Sequence, residues 1–162
     1  MLRFLYALPL AVSLSLSGLT PIFAQEATAA EPGSMSVVER WRQDPTTVFD
    51  ASEVDLEDFR WIARPLVIFA EAEQMPEFQQ QISLIEEDTN ELAVRDVVVV
   101  ADTDPSTQSE ARLRLRPRGF MLALMNKDGD VTLRKPFPWD VREISRSIDK
   151  MPARQREIQQ GS

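Results

Sequence analysis

The residue pattern predicts an α/β domain. A βαβ unit is followed by a β-hairpin and a C-terminal helix, which gives a central mixed sheet flanked by helices. Three observations predict it. Two unbroken apolar, β-branched runs, Leu66-Val67-Ile68-Phe69-Ala70 and Val97-Val98-Val99-Val100-Ala101, have the length of strands buried on both faces. Between them Phe78, Ile82 and Ile85 recur at spacings of four and three, with Leu84 broadening one helix face. Beyond them, turn residues separate two short apolar stretches, and Val141, Ile144, Ile148 and Met151 then fall at helical spacing.

Residues 48–160 are expected to form this domain. Ser52 can cap a short acidic helix running to Asp58, because its hydroxyl can accept a free backbone amide. Trp41, Trp61 and Trp139 could line a ligand site, but Trp61 lies next to the first strand and core packing is its preferred reading. Residues 71–76 form a turn, and Pro76 suits the first helical position, where its missing amide costs nothing. This helix should end near Asp88-Thr89-Asn90. The second strand signal spans residues 96–102, and two such strands joined by a helix make a parallel, right-handed βαβ unit.

Asp104-Pro105 reads as a cap and a first helical position. Residues 111–117 fit two descriptions. Alternating Arg and Leu at 112–116 suits a strand with its arginines on one face. The preceding start signal favours a helix ending before Pro117, which is the preferred reading. Residues 120–125 and 131–134 read as hairpin strands around Asn126-Lys127-Asp128-Gly129, where Gly129 is free to take positive φ. Asp140 and Glu143 match a capping box, and Pro152 is expected to stop the last helix.

Residues 1–24 read as a signal peptide. Arg3 supplies a positive start, residues 4–19 an apolar run, and Pro21-Ile22-Phe23-Ala24 a processing-like site. A membrane anchor needs about 20 apolar residues. This run is shorter, so removal is favoured. Residues 25–47 are small, polar and aperiodic, and are expected to be a disordered linker. Val37, Val38 and Trp41 are the exception, as either a short helical turn or a sticky part of the tail. No second run reaches spanning length, so no membrane span is expected after signal removal, and the product is placed in the periplasm or secreted.

The 162 residues hold no cysteine and no histidine. The first absence excludes thiol nucleophiles, disulfide exchange and thiolate metal sites. The second removes the commonest general base and metal ligand. No glycine-rich phosphate loop and no Gly-x-Ser-x-Gly is present. No cofactor is expected. Asp102 and Asp104 are the one weak suggestion of a hard-cation site, and a helix cap already explains Asp104. The formal net charge is −8, which argues against nucleic acid as a partner. The charge is split: residues 25–110 carry 20 acidic and 5 basic side chains, residues 111–162 carry 6 and 12.

Several short motifs resemble a known family. They are Arg64-Pro65-Leu66 before Phe69-Ala70, Arg95-Asp96 before the valine strand, Lys127-Asp128-Gly129 with Arg134, and Asp149-Lys150-Met151-Pro152-Ala153-Arg154 with Glu157. Together they resemble a bacterial family of uncharacterised exported domains, similar to the DUDES domain of animal sushi-repeat-containing extracellular proteins. The resemblance covers residues 55–159 and implies a thioredoxin-like, peroxiredoxin-related fold with no activity to transfer. In such folds the reactive cysteines sit between the first buried strand and its helix. Here that place holds Glu71 and Glu73, and no thiol. Pro117 occupies the position that a cis-proline takes in such folds.

The candidate binding residues are Arg114, Arg116, Arg118, Lys127, Asp128, Arg134 and Arg154. As a strand, residues 112–118 would present a basic face to a polyanion or an acidic protein; as a helix they would scatter it. The plainer reading is that the basic half answers the acidic half of the same molecule. Lys127 and Arg134 could hold an anion, but the Lys127-Asp128-Gly129 turn has sufficient local reasons of its own. Arg154 could meet a partner, or pair with Glu157 or Asp149. The reading reached is a non-redox binding module whose partner is another protein. A small-ligand protein or hydrolase using carboxylates and arginines is the alternative. If the signal reading holds, the exported chain begins at Gln25 on N-terminal sequencing, whereas a product retaining Arg3 supports the anchor.

Overall fold

Side-chain alternation along three central strands decides how the molecule is layered. The computed structural model describes residues 35–161; the expected signal segment and residues 25–34 of the expected linker lie outside them. Strand β2 (Arg64–Phe69) is buried along its whole length, as is β3 (Val97–Asp102) apart from Ala101. They pair in parallel, Leu66 opposite Val99. On the other side β2 pairs antiparallel with β4 (Met121–Met125), and β4 with β5 (Val131–Lys135). A three-residue strand that sequence periodicity could not reveal, β1 (Val48–Asp50), adds in parallel to β3. The sheet order is β1-β3-β2-β4-β5.

Because successive residues point to opposite faces, each central strand serves two cores. Val67, Phe69, Val98, Val100, Ala123 and Met125 belong to one. Leu66, Ile68, Val97, Val99, Leu122 and Leu124 belong to the other. The first face is covered by α1 (Val37–Gln43), a single 3₁₀ turn at Leu56–Phe59 and α4 (Glu110–Leu115). The second is covered by α2 (Pro76–Glu87), the short α3 (Thr89–Ala93) and α5 (Val141–Asp149), through Phe78, Ile85, Leu92, Ile144 and Ile148. Gln81 is fully buried and exchanges two hydrogen bonds with the Trp139 backbone (3.0 and 2.7 Å), fixing the approach to α5. No helix among the described residues is long and apolar enough to cross a membrane.

The expected α/β architecture is the observed one, and the preferred helix at 111–117 is present as α4, started by Ser109 rather than Asp104. Asp104 instead caps a separate 3₁₀ turn at Pro105–Thr107. Five local expectations are corrected. The expected linker contains α1, whose Ser36 and Glu39 cap each other reciprocally and whose Trp41 is buried edge-on against Phe59. Ser52 caps nothing and bonds Asp50; Asp55 caps the 3₁₀ turn. Asp140 caps α5, but Glu143 turns away to Arg146 instead of completing a box. Pro152 does not end the helical region but opens α6 (Pro152–Gln160), since proline suits a first turn as well as a stop. Trp61 is not in the core: it is 70% exposed.

The burial of Trp41 makes α1 part of the domain. Its indole N–H donates to the Val97 carbonyl (3.3 Å) and its ring fills the first core. Trp41→Ala should cost about 3–5 kcal/mol in urea unfolding. A loss below about 1 kcal/mol would mean that α1 only rests on the surface.

Candidate functional site

Four short segments, far apart in the chain, meet at the end of the sheet where β2 and β3 begin. Arg64 precedes Pro65 as the first residue of β2, and its side chain has no exposed surface. Its backbone N–H donates to the Asp96 carbonyl (2.6 Å), which the positive φ of Asp96 (52°) turns toward it. Its guanidinium donates to the Arg95 carbonyl (2.9 Å) and to Glu157 Oε1 (2.7 Å). Glu157 also receives Lys127 Nζ (3.3 Å) and Arg154 Nη1 (3.3 Å), and Lys127 reaches Asp96 Oδ2 (2.7 Å). Beside this group Arg95 clasps Asp149 through two bonds of 2.9 Å and also holds Glu91.

The charges shift one another. Burial works against ionisation of Glu157, yet the Arg64 hydrogen bond and charge, with Lys127, hold its carboxyl below the usual range. The Arg95 hydrogen bonds hold Asp149 low against a smaller opposing effect of burial, and Arg95 is raised in turn.

A groove of about 450 Å³ opens on this cluster, lined by Trp61, Asn126, Lys127, Asp128, Pro152, Arg156 and their neighbours. Trp61 stands at its rim with φ 64°, a conformation rare for a bulky residue and costing roughly 1–3 kcal/mol. Its N–H donates to the Lys127 carbonyl (2.6 Å), and the Arg60 guanidinium lies 5.7 Å from its ring centre. The buried Asn126 Oδ1 has no hydrogen-bond partner. Asp128 is used locally: its carboxylate accepts from Asn126 Nδ2 (3.1 Å) and the Asp130 N–H (3.0 Å), as a tight turn requires.

The remaining candidates lie on other elements. Arg114 pairs with Glu57 (2.8 Å) and donates to the Gly129 carbonyl (3.0 Å). Arg134 Nη1 donates to the Leu115 carbonyl (2.6 Å). Arg116 and Arg118, with Arg134, Lys135, Phe120, Met121 and Pro136, line a second groove of about 270 Å³. The structure therefore brings Lys127, Asp128 and Arg154 to one end of the sheet and Arg116, Arg118 and Arg134 together elsewhere. Arg64 and Asp96 were marked only as parts of the motifs that resemble a family, without a role in a site, and Arg156 was not singled out from sequence. The further signal for Arg64 is a cation opening an otherwise apolar run.

At the opposite end of β2 and β3, a buried pair closes the corner. Arg112 holds Asp102 (2.5 Å), donates to the Ala70 carbonyl (2.9 Å) and covers the Phe69 ring. Ser109 Oγ donates to the second Asp102 oxygen (2.5 Å). Asp102 is thus committed to protein partners, and Asp104 Oδ1 to the Ser106 backbone (2.8 Å); among the described residues no group of three or more carboxylates that could hold a metal ion forms. The turn between β2 and α2, next to Ala70, carries Glu71 and Glu73 in place of thiols.

A mixed sheet of this order, with a βαβ core, a hairpin and no thiol in the turn after β2, defines a thioredoxin-like domain without a redox pair. Thioredoxin peroxidase I of Plasmodium yoelii superposes with a TM-score of 0.52 at 17% identity, over 67% of this chain and 82% of that one. Reduced 2-Cys peroxiredoxin of Plasmodium vivax gives 0.51 at 15%, over 65% and 85%. At these identities the likeness is one of fold. The chain belongs to the DUF4174 family, a domain of unknown function, which matches residues 55–157. No curated protein matches it.

Removing one partner of a buried pair strands the other charge. Glu157→Gln should cost about 3 kcal/mol at neutral pH, and Arg64→Met with Glu157→Leu should recover most of it. Glu157 and Asp149 have lowered folded values, so their contribution is complete above the unfolded carboxyl range and lost as pH falls through the folded values. Unfolding free energy measured from neutral pH down to about pH 2 should fall less steeply in Glu157→Gln. An unchanged acid limb would remove Glu157 from this account.

Proposed function

We propose that this domain is a non-redox binding module, exported to the periplasm or secreted, that recognises an acidic surface of another protein. One observation carries the reading. Arg116 and Arg118 are exposed, and their side chains make no ion pair or hydrogen bond among the described residues. With Arg134 and Lys135 they border a groove that also contains Phe120, Met121 and Pro136. Phe137, 51% exposed, extends the apolar part. Cations around apolar contact area fit a protein partner bearing carboxylates better than a free anion, which would leave the apolar part unused.

The geometry also explains why the basic half is not wholly absorbed by the acidic half. Arg112 and Arg114 are paired internally, on α4. Arg116 takes a left-handed conformation (φ 49°) that ends α4, so the arginines after it leave the helix surface and meet β5. The alternative, an acid–base enzyme, lacks support of this kind. Glu110 is the carboxyl pushed above the ordinary range, by burial first, and it accepts the Leu56 N–H (3.4 Å) as a structural tie.

The test is a cross-linking pull-down from envelope extract with residues 25–162 and with an R116E/R118E/R134E variant whose fold is verified by circular dichroism. A partner captured by the parent, lost from the variant and weakened by salt is the expected result. Equal capture by both removes the basic groove as the recognition surface.

A further inference from the structure

We propose that the Trp61 groove is a second, independent site, and that it binds an acidic oligosaccharide. Trp61 combines two features that folding alone does not ask for. Its backbone is held at φ 64°, where glycine or asparagine is the economical choice. Its indole is 70% exposed, so core packing does not offset that strain. The outcome is an exposed aromatic ring lining a groove, and an observed backbone outlier of this kind points to function.

The rest of the groove selects the ligand class. Its polar lining is mixed, with amide and ammonium donors on Asn126 and Lys127 and carboxylates on Asp128 and Glu157 whose remaining lone pairs can still accept, while the buried Asn126 Oδ1 is unpartnered. Lys127 is already neutralised by Asp96 and Glu157, so a strongly charged ligand finds no large field there. Hydroxyl groups, each both donor and acceptor, match such a wall. The apolar face of a pyranose ring matches the exposed indole. Arg156 is the exception: it lines the groove and makes no ion pair or hydrogen bond among the described residues. It calls for one carboxylate on the sugar. An extended peptide fits less well, because the walls are a turn at residues 126–128 and the start of α6, and neither presents a strand edge for main-chain pairing.

The experiment is amide and indole NMR titration of residues 25–162 with tri-galacturonate, a hyaluronan tetrasaccharide, cellotriose and an Asp/Glu hexapeptide. At least one acidic saccharide should shift the Trp61 indole and Asn126 signals. Trp61→Asn should weaken that binding about tenfold while its melting temperature stays at or above the parent's, since asparagine tolerates this φ. Arg156→Gln should weaken the acidic saccharide severalfold and leave cellotriose unchanged. Three outcomes overturn the proposal: no saccharide perturbs Trp61, the Trp61→Asn variant binds normally, or the hexapeptide binds the groove more tightly than every saccharide. A melting temperature lowered by several degrees in Trp61→Asn would make Trp61 a structural residue and overturn it as well.

Discussion

A guanidinium with no exposed surface governs one whole end of this molecule. Desolvating Arg64 is tolerable only if an anion and carbonyl acceptors are brought to it, because an unpaired buried charge costs several kcal/mol. The acceptors come from the chain beside it, at Arg95, and the anion comes from Glu157, 93 residues away. That requirement fixes the last helix. α6 has no buried residue of its own. Its position follows from Glu157 reaching Arg64, Arg154 reaching the Val94 carbonyl (3.1 Å), and Gln155 bonding the Asp149 carbonyl. A helix without an apolar face is ordinarily a poor candidate for docking. Here ion pairs substitute for hydrophobic contact.

The same constraint explains why the short motifs that resemble a family are those that meet in space. Arg64, Arg95 and Asp96, Lys127, and Asp149, Arg154 and Glu157 are dispersed in sequence, but all contribute to one charge cluster. Glu157 serves three cations at once, and Asp96 serves both a backbone turn and Lys127. Such sharing makes the contributions of individual residues interdependent, so pairwise sums would misstate them. Arg134, on the Leu115 carbonyl, and Phe69-Ala70, at the Arg112–Asp102 corner, are members of those motifs that lie outside the cluster.

Much of the fold was legible because burial leaves a local imprint. The Leu66–Ala70 and Val97–Ala101 runs are apolar throughout as both faces of β2 and β3 are covered, and the α2 and α5 periodicities follow from one covered face. What escaped was decided by long-range partners. β1 is too short to alternate visibly, and exists because β3 offers it an edge. Trp41 belongs to the core because Phe59 and the Val97 carbonyl receive it, although its neighbours read as a tail. Trp61 failed in the opposite sense: next to a buried strand, it faces outward because its backbone turns left-handed. The charged cluster was partly visible, since Arg154 was paired with Glu157 or Asp149 on spacing alone. Nothing local marked Arg64 as the group they would serve.

Backbone strain is concentrated at a few positions, and two of them border the proposed binding grooves. Four non-glycine residues among those described have positive φ: Trp61, Asp96, Gln108 and Arg116. Two have a local return. Asp96 turns its carbonyl to the Arg64 amide and its carboxylate to Lys127. Gln108 ends the 3₁₀ turn just before Ser109, which caps α4 and anchors Asp102. Trp61 and Arg116 have a backbone use too, Trp61 through its N–H to the Lys127 carbonyl and Arg116 as the residue that ends α4, and both turn a large side chain outward, with the Arg60 guanidinium beside the Trp61 ring. A glycine at either place would make the same bond with less strain. The side chains are therefore the part of those positions that the fold does not explain, and the two grooves they border are where recognition is to be sought.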